Sequence, residues 1–132
     1  MTQQANIEAT QAVFAAFGAG DIPAILACLS DDIVIEFYGP DTIPYAGTYQ
    51  GQQEARRFFE TVLSSVDIHE FEPQEFLADR DKVIVTGHLR LTARATGREI
   101  DSDFVHVITV SNGKWQRFRD FMNTAVAVAA FS

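Results

Sequence analysis

Cysteine is almost absent from this sequence. The chain of 132 residues contains one cysteine, Cys28, so no disulfide can form within it. The three histidines, at positions 69, 88 and 106, are too widely separated to suggest a zinc site. We therefore predict no bound metal. A chain without disulfides suits a reducing compartment, so we also predict a cytoplasmic location.

Basic residues and long apolar runs are also scarce. Ten lysines and arginines stand against 18 acidic residues, and the net charge of −8 disfavours binding to nucleic acid or anionic lipid. The first residues show no secretory signal, and the apolar residues 125–131 are far fewer than the roughly 20 of a membrane helix. We therefore predict a small or neutral partner, with no nucleic acid and no membrane.

Recognisable catalytic motifs are missing too. The sequence has no serine or cysteine nucleophile motif and no glycine-rich phosphate loop, so we predict that it uses no cofactor. Apolar residues, in contrast, make up 47% of the chain and include eleven phenylalanines. Composition is even along the chain, which predicts one domain over residues 1–132, with aromatic residues left over for a cavity or an interface.

The first half of the chain has helical periodicity. Apolar residues recur at helical spacing over residues 4–19, and Asp21 is placed to cap a short second helix that ends at residues 30–32. Residues 33–37 predict a strand, and residues 38–51 predict a loop whose tyrosines could border a pocket. A third helix is predicted over residues 52–64.

The second half alternates as strands do. Residues 66–78, 82–95, 98–110 and 114–124 are four strand-like runs with short turns between them, which predicts an antiparallel meander. Helices followed by strands predict an α+β fold, with the helices packed on one face of a curved sheet.

Two turns decide which residues share a face of this sheet. A two-residue turn at residues 96–97 would place Leu89 opposite Phe104. A three-residue turn at residues 111–113 would make His106 and Asp120 diagonal neighbours on the same apolar face. A two-residue turn there would instead send Asp120 to the other face, and we favour the first arrangement because it groups the apolar residues.

The candidate catalytic residues are Asp120 and His106. A carboxyl group among apolar side chains favours its protonated form, which suits general acid/base work near neutral pH, and an imidazole beside it could share the proton or orient a carbonyl group. Two structural alternatives remain open. His106 could be a core histidine bonded to a backbone carbonyl, and Asp120 could be a surface acid or the partner of an arginine.

The sequence resembles the SnoaL-like and ketosteroid-isomerase-like proteins of the nuclear transport factor 2 superfamily over essentially its whole length. The resemblance is carried by FAAFGAGDIPAILACLSDDIVIEF, YQGQQEARRFF and TGREIDSDFVHVITVSNGKWQRFRDFMNTA. It implies a cone-shaped, curved antiparallel sheet wrapped on three N-terminal helices, with a pocket at the open end. It also implies a homodimer formed through the sheet.

The resemblance distinguishes between activities. The steroid isomerases use a tyrosine on the first helix and an aspartate base at the end of the first strand, and these positions look like Val13 and Phe37 here. His106 and Asp120 look like the histidine and aspartate of SnoaL-like cyclases. The expected pocket lining is Phe14, Phe17, Phe37, Tyr38, Tyr45, Phe59, Leu89, Leu91, Phe104, Phe118 and Met122.

These features predict a cofactor-independent enzyme of the isomerase/cyclase type that acts on a small apolar carbonyl compound. Asp120 would move a proton, and His106, with help from a loop tyrosine, would stabilise the enolate oxygen. The alternatives are a non-catalytic binding protein for a small hydrophobic ligand, a dimerising module with a vestigial pocket, and a hydrolase or dehydratase on the same scaffold.

Overall fold

Four helices and six strands follow one another in the computed structural model, which describes residues 2–132. None of these helices is long and apolar enough to cross a membrane. In chain order the elements are α1 (Gln3–Gly18), α2 (Ile22–Ala27), β1 (Leu29–Phe37), β2 (Gly47–Gln50), α3 (Gly51–Ser65), β3 (Val66–Asp79), β4 (Lys82–Ala93), β5 (Glu99–Ser111), β6 (Lys114–Met122) and α4 (Thr124–Phe131).

The six strands form one curved, mixed sheet in the order β2-β1-β6-β5-β4-β3. Neighbouring strands are antiparallel except β1 and β6, which run parallel. Helices α1 and α3 pack against one face of the sheet, and the apolar core lies between them. The predicted α+β fold is confirmed, and the parallel pair makes the sheet mixed rather than purely antiparallel.

Short polar side chains begin the first two helices. The Thr2 hydroxyl accepts a hydrogen bond from the Ala5 amide at 3.0 Å, and the Asp21 carboxylate accepts one from the Ala24 amide at 3.1 Å. Residues 30–32, predicted to end α2, belong to β1 instead, because that strand already begins at Leu29, which is buried. The apolar residues 125–131 form most of α4, which packs on this domain through buried Ala127 and Ala130.

The predicted two-residue turn between β4 and β5 is wrong. The Ala93 amide donates to the Arg98 carbonyl at 2.8 Å, so the turn contains four residues and ends at Gly97, whose φ is 76°. Leu89 therefore lies opposite Ser102 rather than Phe104. The offset is two residues, and side chains alternate with a period of two, so each residue keeps the face that was predicted for it.

The turn between β5 and β6 also differs from the favoured prediction. Ser111 pairs with Lys114, leaving Asn112 and Gly113 as a two-residue turn, and both have positive φ, 52° and 78°. This is the conformation that Asn-Gly sequences favour in tight hairpins. By itself the turn would have sent Asp120 to the outer face of the sheet.

A β-bulge at Gln116 returns Asp120 to the inner face of the sheet. Val110 pairs with Trp115, but Thr109 pairs with Arg117, so Gln116 is an extra residue in β6. From that point the register is shifted by one, and His106 lies directly opposite Asp120. The bulge lets two side chains three residues apart, Trp115 and Phe118, both point into the core.

The face of the sheet away from the helices carries matched charges. The two ring nitrogens of His88 lie 2.6 Å from Asp101 and 2.8 Å from Asp103, and these carboxylates, Asp103 first, raise the pKa of His88. Arg90 of β4 and Glu99 of β5 form a further ion pair on this face, with 3.3 Å between Nη1 and Oε1.

Gly87 leaves room for the ring of Phe104 on the inner face of the sheet. A β-carbon at this position would lie 2.2 Å from the Glu72 carbonyl oxygen and 2.4 Å from the ring of Phe104. We expect Gly87→Ala to lower the free energy of unfolding by about 1–3 kcal/mol, as overpacked cores do. Urea unfolding measures this change.

Gly18→Ala is the matched control, because a β-carbon there would meet no atom within 4 Å. It should leave the unfolding midpoint unchanged or raise it, since alanine favours a helix more than glycine does. Equal midpoints for Gly87→Ala and the wild type would show that β4 has room for a methyl group at this position.

Candidate active site

An apolar cavity lies between the helices and the inner face of the sheet. Its volume is about 70 Å³, counted as the space open to the centre of a water molecule, so it has room for more than one water or for part of a small ligand. It is lined by Val13, Phe14, Phe17, Phe37, Tyr45, Phe58, Phe59, Val62, Phe71, Leu89, Leu91, His106, Trp115, Phe118, Asp120 and Met122.

His106 and Asp120 face each other in this cavity from neighbouring strands. His106 Nε2 lies 3.3 Å from Asp120 Oδ1, and the side chains are 4% and 15% exposed. An ionised carboxylate can only accept a hydrogen bond, so Nε2 must carry a proton whenever the two groups form one. Asp120 is thus neither a surface acid nor the partner of an arginine.

Aromatic rings enclose the imidazole of His106. Its ring stacks on Phe14, with ring centroids 5.7 Å apart and an angle of 10° between the planes. The centroids of Phe104 and Phe118 lie 4.5 Å and 4.8 Å from that of the imidazole. His106 Nδ1 is buried and has no hydrogen-bond partner within residues 2–132. The alternative of a histidine bonded to a backbone carbonyl is therefore not what the structure shows.

Tyr45 is the third polar group of the cavity. It lies in the loop between β1 and β2, is 3% exposed, and packs edge-on against Phe37 with ring centroids 5.0 Å apart. Burial raises the pKa of the Tyr45 hydroxyl, and the nearby carboxylate of Asp120 raises it further. The phenol therefore remains protonated, and able to donate a hydrogen bond, throughout the physiological range.

Most of the predicted lining residues do border the cavity, but two lie elsewhere. Tyr38 follows Phe37 in sequence and so points to the opposite face, where it is 41% exposed, stacks on Phe121 and donates to Glu36 at 2.7 Å. Phe104 lies behind the cavity wall, stacked on Phe71 with centroids 4.8 Å apart.

Five lining residues were not predicted for the site: Val13, Phe58, Val62, Phe71 and Trp115. Helical spacing could have identified Val13, which is one turn before Phe17, and Val62, which is one turn after Phe58. Phe71 and Trp115 are harder to find, because bulges in β3 and β6 interrupt the alternation from which inward residues are counted.

The part of the chain that the structure describes contains no group of three or more His, Cys, Asp or Glu side chains placed to hold a metal ion. The chemistry that this arrangement can perform with its own residues is proton transfer. It combines a carboxylate, a histidine that faces it and a phenol, all in apolar surroundings.

The fold and its apolar cavity are those of the nuclear transport factor 2-like class of small α+β proteins. Residues 10–118 match the SnoaL-like domain family, and the chain belongs to that family. The resemblance expected from the sequence is thereby confirmed.

Known relatives cover the chain almost completely. A nuclear transport factor 2-like protein from Burkholderia xenovorans is 30% identical with a TM-score of 0.92, and the match covers 100% of this chain and 99% of that one. TerC, co-crystallized with polyporic acid, is 27% identical with a TM-score of 0.83, over 96% and 98% of the two chains. A protein of Mycobacterium tuberculosis, described as uncharacterized, is 24% identical over 132 residues, 99% of this chain and 98% of its own.

The raised pKa of Tyr45 can be tested by a titration. In a protein with isotope-labelled tyrosine, followed by NMR, we expect Tyr45 to keep its proton well above the ordinary tyrosine pKa of about 10. Folding stability should fall as the pH rises above that value, because the unfolded chain releases a proton that the folded chain retains. Tyr45→Phe assigns the signal.

Asp120→Asn separates the two causes of this shift. Removing the carboxylate charge should lower the pKa of Tyr45 only part of the way, because burial, the larger cause, persists. A Tyr45 that titrates near 10 in the wild type would contradict the enclosed geometry.

Proposed function

We propose that this protein is a cofactor-independent acid/base enzyme of the isomerase/cyclase type, acting on a small, largely apolar carbonyl compound. The observation that carries the proposal is the direct pairing of Asp120 with His106 inside a cavity otherwise lined mainly by apolar and aromatic side chains. A structural ion pair has no need of open space beside it, whereas an acid/base pair does.

The reaction begins with proton transfer to Asp120. One carboxylate oxygen, Oδ1, lies beside His106 Nε2, which leaves the other free to take a proton from a C–H group next to the carbonyl of the substrate. The electrons of that C–H bond form a carbon–carbon double bond, and negative charge develops on the carbonyl oxygen. If the enolate is conjugated with a second carbon–carbon double bond, return of the proton from Asp120 to the far carbon completes an isomerisation. If the enolate carbon attacks a second carbonyl of the same molecule, transfer of the proton from Asp120 to the new alkoxide completes a cyclisation.

The co-crystallization of TerC with polyporic acid supports a small organic ligand for this protein as well. The apolar lining favours a ligand with a large hydrophobic surface, and the few polar groups limit it to one or two polar atoms near Asp120. The absence of arginine and lysine from the lining disfavours a ligand that carries a phosphate or several carboxylates.

Deuterium exchange of a simple ketone tests this proposal. Acetophenone combines a carbonyl group, acidic methyl protons and an aromatic ring, and NMR in deuterium oxide follows the loss of its methyl protons. We expect the wild type to accelerate the exchange, and Asp120→Asn to reduce the enzyme-catalysed rate about 10²- to 10⁴-fold, the usual contribution of a general base. Asparagine can still accept from His106, so the fold should be retained.

Asp79→Asn is the control, because Asp79 is exposed at the end of β3. An Asp120→Asn variant that exchanges acetophenone at the wild-type rate would exclude Asp120 as the base. A wild type that binds acetophenone without exchanging its protons would favour the alternative, a non-catalytic binding protein.

We further propose that two copies pair through the outer face of the sheet. Val105 is 38% exposed on this face, which also carries His88 with its two aspartates and the Arg117–Glu36 pair, whose charged atoms are 2.6 Å apart. Matched opposite charges around an exposed apolar centre suit the self-complementary contact of a two-fold dimer.

Analytical ultracentrifugation tests the dimer. Val105→Asp would place an unpaired charge in the apolar centre, and we expect it to weaken the dimer at least about tenfold, which is about 1.4 kcal/mol. Glu60→Ala, at an exposed position on α3, should leave the association unchanged. A wild type that sediments as a monomer at micromolar concentration would disprove the dimer.

A further inference from the structure

The two ring nitrogens of His106 are poorly placed to donate to a substrate oxygen. Nε2 lies 3.3 Å from Asp120 Oδ1, so a substrate oxygen would have to compete with the carboxylate for its proton. Nδ1 is buried and has no hydrogen-bond partner within residues 2–132. The expected role of His106 as the donor to an enolate oxygen therefore fits this geometry less well than a role beside Asp120.

Tyr45, in contrast, presents a hydroxyl group that nothing else uses. No hydrogen bond joins this hydroxyl to another group within residues 2–132, and its oxygen is not among the fully buried unpaired atoms. The oxygen therefore keeps some accessible surface, and Tyr45 is one of the residues that line the cavity. The carboxylate of Asp120 is close enough to influence the titration of this phenol.

The ring of Tyr45 is held firmly by several elements. Phe37 of β1 and Phe131 of α4 contact it edge-on, with centroid distances of 5.0 and 5.9 Å. The Tyr49 hydroxyl donates to its backbone carbonyl at 3.0 Å in a buried hydrogen bond. A donor fixed in this way before the substrate arrives loses little entropy when it binds, which is what stabilisation of a developing charge requires.

We propose that Tyr45 donates the hydrogen bond to the carbonyl oxygen of the substrate, and that His106 is a positioning residue that orients Asp120. This assignment rests on the proposed function. It defines the substrate class more narrowly, as a compound whose acidic C–H group is directly next to the carbonyl, so that Tyr45 and Asp120 can reach the oxygen and the hydrogen together.

The proton and electron balance is simple. Asp120 takes the proton from carbon, the electron pair of the C–H bond forms the double bond of the enolate, and the oxygen gains the negative charge. Tyr45 keeps its own proton, because its pKa is raised, and strengthens its hydrogen bond as that charge develops.

Binding of two matched probes tests the role of Tyr45. Acetophenone carries a carbonyl oxygen, and ethylbenzene has nearly the same shape without it. We expect Tyr45→Phe to weaken acetophenone binding about tenfold in calorimetry and to leave ethylbenzene binding unchanged. The exchange rate of bound acetophenone should fall about 100-fold, as when a donor to a developing oxyanion is removed.

Tyr38→Phe is the matched control, because Tyr38 lies on the outer face of the sheet and should alter neither binding nor exchange. Equal effects of Tyr45→Phe on both probes would indicate a role in packing alone and overturn the assignment. An unchanged affinity and exchange rate for acetophenone would overturn it as well.

His106→Gln tests the positioning role. Glutamine retains an N–H donor for Asp120, so we expect a lower exchange rate with an unchanged preference for acetophenone over ethylbenzene. A lost preference would instead show that His106 contacts the oxygen, which would overturn the assignment.

Binding and exchange of acetophenone by the wild type distinguish the role of Tyr45 from the proposed enzymatic function. Wild type that binds acetophenone in a Tyr45-dependent manner, without exchange, would refute the enzyme while leaving the hydrogen bond in place. Failure to bind either probe would refute both.

Discussion

The one-residue bulge at Gln116 is the constraint on which the site depends. Before the bulge, the tight Asn112-Gly113 turn sets a pairing that would leave Asp120 on the outer face of the sheet. After it, the pairing places Asp120 directly opposite His106. The same extra residue turns both Trp115 and Phe118 inward, and the buried Trp115 indole donates to Thr10 of α1 at 3.2 Å. The same bulge thus determines both the packing of the core and the position of the Asp120 carboxylate.

The aromatic surroundings give the polar groups their different roles. His106 has aromatic rings on several sides, which favours the proposed role through the carboxylate that it faces. Asp120 is somewhat more open, and Tyr45 packs on Phe37, the residue paired with Asp120 across the sheet, and lines the same cavity. A low-polarity environment strengthens each of the hydrogen bonds that remain, which is why three polar groups suffice for a site of this kind.

Much of the fold and part of the site could be predicted from the sequence, and the reasons differ by element. The first three helices and five of the six strands follow from periodicity and turn residues. The short strand β2, which lies within the segment predicted as a loop, and the helix α4 were not predicted. The mistaken turn at residues 96–97 did no harm to the prediction of faces, because an error of two residues preserves alternation. Leu89 and Leu91 therefore border the cavity as predicted, although their partners across the sheet differ.

The remaining errors arise where tertiary packing overrides local signals. The prediction placed His106 and Asp120 on one face through a turn that does not form, and the bulge that actually brings them together leaves no mark in a single sequence. Phe71 was missed for a similar reason, since β3 has register shifts on both sides of it. Among the loop tyrosines, only packing against Phe37 distinguishes Tyr45 from the exposed Tyr38.

The C-terminal helix α4 links the end of the chain to this chemistry. Phe131 leans on the ring of Tyr45, while carbonyl groups of the last turn accept hydrogen bonds from Thr96 and Arg98 in the β4–β5 turn. A substitution in that turn, on the surface and remote from the ligand, would therefore be transmitted through α4 to the tilt of a cavity phenol. Evolution, or a protein engineer, thus has a way to adjust the selectivity of the proposed site while every residue that lines the cavity stays the same.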